Sequence, residues 1–508
     1  MIFLRSIALI LFFVCSIRCS FTQPLPPKRE FRAVWIATVE NIDWPAKRGA
    51  SSDQQRAELI RILDEHQKTG INAVILQVRP SADALYQKRR EPWTRFLSGK
   101  QGVGPMPTYD PLDFAVMEAH KRGMELHAWF NPYRATTDTI DSNTSAQHIS
   151  RIRPEWFFTY GPKKYFNPGL PEVRDYIVQV IMDVVRNYDI DGVHFDDYFY
   201  PYPEKGKQIP DSAAFVQYGG SFSSIEDWRR NNVDLLIKTV SDSIHHKKRY
   251  VKFGISPFGI WRNKKDDPEG SETNGLSGYS ALYADARKWM KEGWVDYNVP
   301  QVYFPFGYAP AAYEKLVDWW SNNSFGRHVY IGHGVYRSTE NKEGWRDKQQ
   351  LPNQIRYLRQ NERVQGSVYF SSKSLTNNLA GFQDSLRSSL YKYPALLPQM
   401  IWLDAIPPLS PLNLSAVRTA DGVKLSWQRP IAVRDGETAY GYVVYRFLKG
   451  EGQDITDARK IVRIQFGADN VSFVDRSGLK GKYIYCVTAL DRLKNESLPS
   501  NQVKVKIK

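Results

Sequence analysis

The sequence predicts an α/β fold, a (β/α)8 TIM barrel followed by a small all-β sandwich, on three observations. Short runs rich in β-branched and aromatic residues alternate eight times with amphipathic helical stretches over residues 31–392. Connections after strands are long and those after helices are only a few residues, which elaborates one end of a barrel. The alternation stops before a proline-rich link, Ile406-Pro407-Pro408-Leu409-Ser410-Pro411, and short strand-like runs fill residues 407–508.

In chain order, residues 1–22 carry Arg5, an apolar run from Ile7 to Val14 and then small residues. This is the pattern of an export signal, with cleavage expected after Thr22. It predicts a protein of the periplasm or cell envelope. A lipid anchor through Cys19 is the weaker alternative, because Arg18 stands where such signals place a small residue. Barrel strands are expected at Ala33–Val39, Ala73–Val78, Glu125–Phe130, Ile190–Asp196, Val251–Ser256, Val295–Tyr303, Val329–His333 and Ser367–Ser371. Helices are expected at Asp53–Thr69, Asp113–Arg122, Pro171–Tyr188, Ile225–His246 and Ala281–Glu292, two of them stopped by Gly70 and Gly123. No glycine-rich phosphate loop follows the first strand, where Thr38-Val39-Glu40-Asn41 stands, and this disfavours a doubly wound sheet. In the C-terminal region strands are expected at Leu412–Leu414, Val423–Trp427, Gly441–Phe447, Ser472–Asp475, Tyr483–Leu490 and Gln502–Ile507. With Trp427 and the tyrosine-rich runs, that region resembles a fibronectin type III module, expected to serve as a spacer or as a docking module toward the cell envelope.

The chain of 508 residues is 42% hydrophobic and 24% charged, a composition ordinary for a globular protein, so disorder is not expected. Its net charge of +15 is scattered in pieces such as Lys88-Arg89-Arg90 and Lys247-Lys248-Arg249. Without a long basic tract a nucleic-acid partner is not expected, whereas an anionic polymer such as cell wall would be attracted. Only Cys486 lies beyond the signal, so no intramolecular disulfide is expected in the exported chain. Neither a His-Glu-x-x-His motif nor a cysteine-rich ligand spacing occurs, and no metal or other cofactor is expected.

Chemistry in such a barrel belongs at the C-terminal ends of the strands. The richest end is the fourth, Asp191-Gly192-Val193-His194-Phe195-Asp196-Asp197-Tyr198-Phe199-Tyr200-Pro201, where two adjacent carboxylates are followed at once by aromatics. Strand alternation puts His194 and Asp196 on one face, Phe195 and Asp197 on the other. The remaining ends offer Glu40, Asp43 and Trp44; Arg79; His127, Asn131 and Arg134; Trp261 and Arg262; Gln301 and Tyr303; His333; and Ser371 with Ser372. A few carboxylates among amides, arginines and aromatics suit glycoside hydrolysis, in which one carboxyl protonates the leaving oxygen and another stabilises or attacks the anomeric carbon. Asp196 is the expected nucleophile or stabiliser, kept at low pKa by Asn131 or Arg134. The proton donor is left open between Asp197 and Glu40, with Asp43 behind them, and should be the carboxyl in drier, less cationic surroundings. Substrate contacts are expected from Asp43, Trp44, Arg79, His127, Asn131, Arg134, His194, Tyr198, Tyr200, Trp261, Arg262, Gln301 and Tyr303, with Trp44 and Trp261 as platforms for sugar faces. For His127 and His194 the competing role is barrel filling, and for Arg79 and Arg134 it is pairing with carboxylates.

Several segments together resemble one family. They are Phe31-Arg32-Ala33-Val34-Trp35-Ile36-Ala37, Ile42-Asp43-Trp44-Pro45, His127-Ala128-Trp129-Phe130-Asn131-Pro132-Tyr133-Arg134, Asp191 to Tyr200 and Gly254-Ile255-Ser256-Pro257. The chain is similar through them to the glycosyl hydrolase-like 10 family over Phe31 to Leu390. The resemblance implies an exported barrel hydrolase acting on peptidoglycan glycan strands stripped of their peptides. A more distant similarity runs to the α-amylase barrel, whose fourth strand reads Asp-Gly-x-Arg-x-Asp; here His194 replaces the Arg, and the last position, the nucleophile by that similarity, is Asp196. The fifth strand ends in Ser256-Pro257 where the amylase pattern has its acid, and the eighth ends in Ser371-Ser372 where some relatives carry an acidic pair. Two alternatives are weighed beside the cell-wall hydrolase: an amylase-type α-glucan hydrolase and a non-catalytic glycan-binding protein.

Overall fold

Strands that must be covered on both faces by helices and by a filled interior read as continuous apolar runs, and the strand residues here are buried almost throughout. The structure, a computed structural model, describes residues 25–140, 143–432 and 437–507; the expected export signal at 1–22 lies outside the described residues. The strands in chain order are β1 (Phe31–Ile36), β2 (Ala73–Arg79), β3 (Glu125–Phe130), a hairpin of β4 (Phe157–Tyr160) and β5 (Lys163–Phe166), then β6 (Gly192–Phe195), β7 (Lys252–Ile255), β8 (Tyr297–Asn298), β9 (His328–Gly334) and β10 (Gly366–Phe370). All but the hairpin close into one barrel, in the order β1-β10-β9-β8-β7-β6-β3-β2, with every neighbouring pair parallel. Val34, Leu76, Leu126, Val193, Phe195 and Phe253 face the helices, whereas Phe31, Trp35, Ile75, Trp129, Tyr297 and Tyr330 fill the barrel.

The helices carry their own start and stop signals. The helix Ser52–Thr69 opens on a capping box of Ser51 and Gln54 and closes at Gly70, whose φ is 84° and where an added Cβ would come within 2.8 Å of the Tyr391 carbonyl oxygen. Helix Pro111–Lys121 has Asp110 as N-cap and proline in its first turn.

Several expected boundaries move. The first strand ends at Ile36, not Val39, and is followed by a 3-10 turn that holds Glu40 at φ 50°. The sixth is reduced from Val295–Tyr303 to Tyr297–Asn298, since Pro300 has no N–H to give a ladder. The fourth spans only Gly192–Phe195. The hairpin β4–β5 inside the long third loop was not expected, and the helix expected at Ala281–Glu292 is Ala286–Lys291.

The C-terminal region forms two antiparallel sheets. One holds β11 (Leu412–Thr419), β12 (Gly422–Gln428) and β15 (Ser472–Asp475); the other holds β14 (Ile461–Phe466), β13 (Gly441–Leu448), β16 (Gly481–Leu490) and β17 (Val503–Ile507). Strand β14 is absent from the sequence expectation. Leu425, Trp427, Tyr442, Val444, Tyr485 and Val487 form the core between the sheets.

This unit does not hang from its link as a free spacer. Its Lys494, in a turn at φ 65° and 1% exposed, reaches the floor of the barrel, where Nζ lies 3.0 Å from Oε1 of Glu125 at the start of β3. Lys252 at the start of β7 pairs with the same carboxylate. Around this buried cluster Arg492 pairs with Asp189 at 2.7 Å, the Tyr440 hydroxyl meets His120 Nδ1 at 3.1 Å, and Lys28 pairs with Glu496 at 2.5 Å. Among the described residues no helix is long and apolar enough to cross a membrane.

Candidate active site

At the opposite end of the barrel, β6 stops at Phe195, whose ring packs outward against Phe253 with centroids 5.1 Å apart. The chain then turns, the Tyr198 N–H donating to Oδ1 of Asp196 at 3.2 Å. Strand alternation therefore lapses after Phe195, and the two carboxyls are not sent to opposite faces. Asp196 and Asp197 are 5% and 3% exposed at the barrel mouth. Oδ2 of Asp196 accepts from the Asn131 amide and, at 3.2 Å, from the Trp129 indole N–H. Asn131 is itself aimed by Gln77, whose amide donates to it at 2.6 Å. The Tyr202 hydroxyl donates to Oδ2 of Asp197, Gln301 borders the same carboxyl, and Tyr303 is close to both acids.

The two carboxyls hold protons unequally. Burial, and next the negative charge of Asp196, push Asp197 up to about 7. Burial also raises Asp196, against the opposing pull of the Arg134 charge and its three hydrogen bonds, so its expected low pKa is corrected: the site is too dry for Arg134 to prevail. Arg134 stacks its guanidinium over Tyr198 at 4.4 Å, and its buried Nε has no hydrogen-bond partner among the described residues. Lys163 of β5 lies beside Arg134.

Beneath the pair a chain of hydrogen bonds runs down the barrel. The Trp35 indole can only donate, so its 3.2 Å bond makes Nε2 of His194 an acceptor and leaves the proton on Nδ1, which faces the Tyr297 hydroxyl at 3.1 Å. Tyr297 passes its own hydrogen to Nδ1 of His127 at 2.7 Å, and Nε2–H of His127 donates to Glu125 at 3.1 Å. Burial, with His127 nearby, holds His194 well below the usual imidazole range, so it is a neutral filler under the site. His127 lies a layer lower still and does not reach the mouth.

Of the expected site residues, the structure brings together Asp196, Asp197, Asn131, Arg134, Tyr198, Gln301 and Tyr303, with His194 directly below. The others are placed elsewhere. Glu40 is solvent-exposed and paired with Arg48, which removes it as a dry proton donor. Asp43 spends its carboxylate on Ala37 N–H, the Ser371 hydroxyl and Lys373 N–H, tying the ends of β1 and β10 together. Trp44 is wholly buried with its indole on the Gln55 carbonyl, and Trp261 stacks on Trp319 at 5.4 Å while bonding Asp285, so neither presents a platform. Arg79 is locked by two 2.7 Å bonds to buried Glu91, and holds the carbonyls of Asn131 and Pro132. Tyr200 is packed edge-on to Tyr283 in the core, and Arg262 is engaged by Asp267 within its own loop. Absent from the expected site are Tyr202, Trp129 as a donor, and Phe370, whose ring lies 6.4 Å from that of the expected Tyr303 with Trp35 behind it at 6.3 Å. The run Tyr198-Phe199-Tyr200-Pro201-Tyr202 carried the only signal for Tyr202, an aromatic every second residue past the acids.

Two acids of unequal proton affinity at the mouth of a closed barrel, with an aromatic wall beside them, form an arrangement able to donate a proton to a glycosidic oxygen and to stabilise the charge left behind. The glycosyl hydrolase-like 10 family model matches residues 30–349, a span that contains both acids, their hydrogen-bond donors and Tyr303, with Phe370 of the wall beyond it. The chain belongs to this family. Glycosyl hydrolase YngK of Bacillus subtilis strain 168 is 47% identical over 483 residues, covering 93% of each chain. Glycosyl hydrolase DigH of Escherichia coli strain K12 is 41% identical over 327 residues, covering 61% of this chain and 74% of its own. Among solved structures, the glycoside hydrolase domain of PgaB (BpsB) from Bordetella bronchiseptica aligns with 71% of this chain and 99% of its own at 14% identity and a TM-score of 0.46. Family membership makes the chain a glycoside hydrolase.

Proposed function

We propose that the enzyme is exported and cleaves peptidoglycan glycan strands from which the peptides have been removed, with Asp197 as proton donor and Asp196 as the charged partner. The observation that carries the roles is the buried Asp196–Asp197 pair, in which Asp197 retains its proton to about 7 while Asp196 collects N–H donors that favour its ionised form. The substrate reading is supported by Arg134, whose charge acts on Asp196, and by Lys163, which lies beside Arg134. Removing the peptide frees a lactyl carboxylate on alternate sugars, and Arg134 beside Asp196, with Lys163 next to Arg134, suits that charge. Export is supported by residues 1–22 and the excess of +15 charges, which favours an anionic polymer.

The test is digestion of purified, peptide-free glycan strands by the full chain, with products followed by mass spectrometry. Shortened strands with new reducing ends are expected, and at least about a hundredfold fewer per unit time after Asp197→Asn or Asp196→Asn. Release of reducing sugar from starch but not from these strands would select an α-glucan hydrolase, and wild-type binding without cleavage a glycan-binding protein.

A further inference from the structure

Which atom bonds to the anomeric carbon is not answered by naming a proton donor. Retention by direct attack requires a carboxylate oxygen free to attack, and inversion requires a base with room for water on the far side of the sugar. The other strand-end acids are committed. Asp43 accepts three hydrogen bonds, Glu91 is locked on Arg79, Glu40 faces solvent with Arg48, and β7 and β10 lead into Ser256 and Ser371.

Asp196 is poorly free to attack. A carboxylate offers about four lone-pair sites. On Asp196 two donors occupy Oδ2 and a third occupies Oδ1, which leaves one acceptor position. That is the capacity for holding a single N–H, while bonding to carbon would require stripping away donors that three fixed groups supply. Beside the pair stands an apolar wall, Tyr303 stacked on Phe370 and Trp35 behind it, with Tyr303 in the field of both acids. One open acceptor site next to an aromatic surface matches an acetamido group, whose N–H needs the first and whose methyl needs the second.

Building on the proposed hydrolase, we infer that the substrate's own 2-acetamido oxygen is the nucleophile, positioned by Asp196, and that the site is therefore selective for sugars bearing a 2-acylamino group. In the first step the acetamido oxygen bonds to the anomeric carbon as the glycosidic C–O bond breaks. The leaving oxygen keeps that electron pair and takes the proton of Asp197, while Asp196 takes the amide N–H proton, leaving a neutral oxazoline. In the second step water gives a proton to Asp197 and its oxygen bonds to the anomeric carbon, the ring C–O bond breaks, and Asp196 returns its proton to nitrogen. One water is consumed, both acids recover their starting states, and two inversions give net retention.

The experiment uses the full chain on peptide-free glycan strands that have been N-deacetylated and re-acylated with acetyl, fluoroacetyl, difluoroacetyl or trifluoroacetyl groups. Fluorine weakens the carbonyl oxygen as a nucleophile while leaving the sugar neutral and similar in shape. The expected result is a progressive fall in kcat/KM, roughly a hundredfold or more across the series, with the retained anomer as first product by proton NMR and competitive inhibition by the thiazoline analogue of N-acetylglucosamine. A flat series, an inverted first product, or a sugar covalently attached to Asp196 after reaction with a 2-fluoro glycoside would overturn the inference while leaving the hydrolase standing. Failure to cut even the acetylated strands would remove the proposed peptidoglycan activity and this inference with it.

Discussion

At the scale of single residues, the site is governed by how Asp197 is kept protonated. In the proposed role of proton donor its carboxyl must be neutral, so kcat/KM is expected to fall as pH rises through about 7. The Tyr202 hydroxyl donates to this carboxylate and so opposes the upward push of burial and of Asp196. Tyr202→Phe should therefore move the alkaline limb of the pH–rate profile to higher pH, a shift that a purely structural tyrosine would not produce. Asp197→Asn should lower kcat/KM by about 10²–10⁴. The same variant should gain stability at high pH, because a folded pKa raised above the unfolded value contributes stability that is complete below about 4 and lost as pH rises through about 7. Wild type and variant melting temperatures should converge near pH 4 and separate by pH 8, with the variant the more stable.

At the scale of elements, barrel strands were legible because each is a short β-branched or aromatic run next to a long loop, and the acid pair was legible because it ends one of them. Ladder length was less so: Val295–Tyr303 reads as one run, but only Tyr297–Asn298 pairs before Pro300 interrupts it. Loop interiors were least legible. The hairpin Phe157–Phe166 is bridged to Arg134 through Tyr165, and Tyr202 packs edge-on to Phe258, contacts distant in sequence. The same holds for tryptophans. Trp44 beside Asp43 and Pro45 looks surface-directed in sequence, yet its ring is enclosed under helix Ser52–Thr69, whereas Trp129, near the end of β3, hydrogen-bonds Asp196. Trp44→Ala is accordingly expected to cost about 3–5 kcal/mol in stability, read by urea denaturation, with kcat/KM of the folded fraction unchanged. Activity lost in proportion to glycan affinity, without loss of stability, would restore Trp44 as a sugar platform.

At the scale of the whole molecule, the barrel and sandwich share one buried ionic cluster. Despite burial, Lys252 and Lys494 hold the Glu125 carboxyl well below the usual range. Glu125→Gln would leave both lysines enclosed without a counter-charge and should cost about 3–5 kcal/mol. Because the cluster joins the two units, calorimetry of the wild type should show a single cooperative transition, and Glu125→Gln should separate it into two. Two transitions in the wild type would mean that the contact contributes little. Glu125 is also the last acceptor in the hydrogen-bond chain that begins at Trp35 and sets the ring orientation of His194 beneath the acids.

The lysine set into the barrel floor also has an engineering consequence. A sandwich attached by its linker alone could be exchanged for any other bead on the string, but this one supplies a charge that its neighbour's interior was built around. Transplanting a foreign module behind residue 406, or grafting this one onto an unrelated enzyme, would leave a lock without its key on one side and a key without its lock on the other, so the two units should be inherited and redesigned as a matched set.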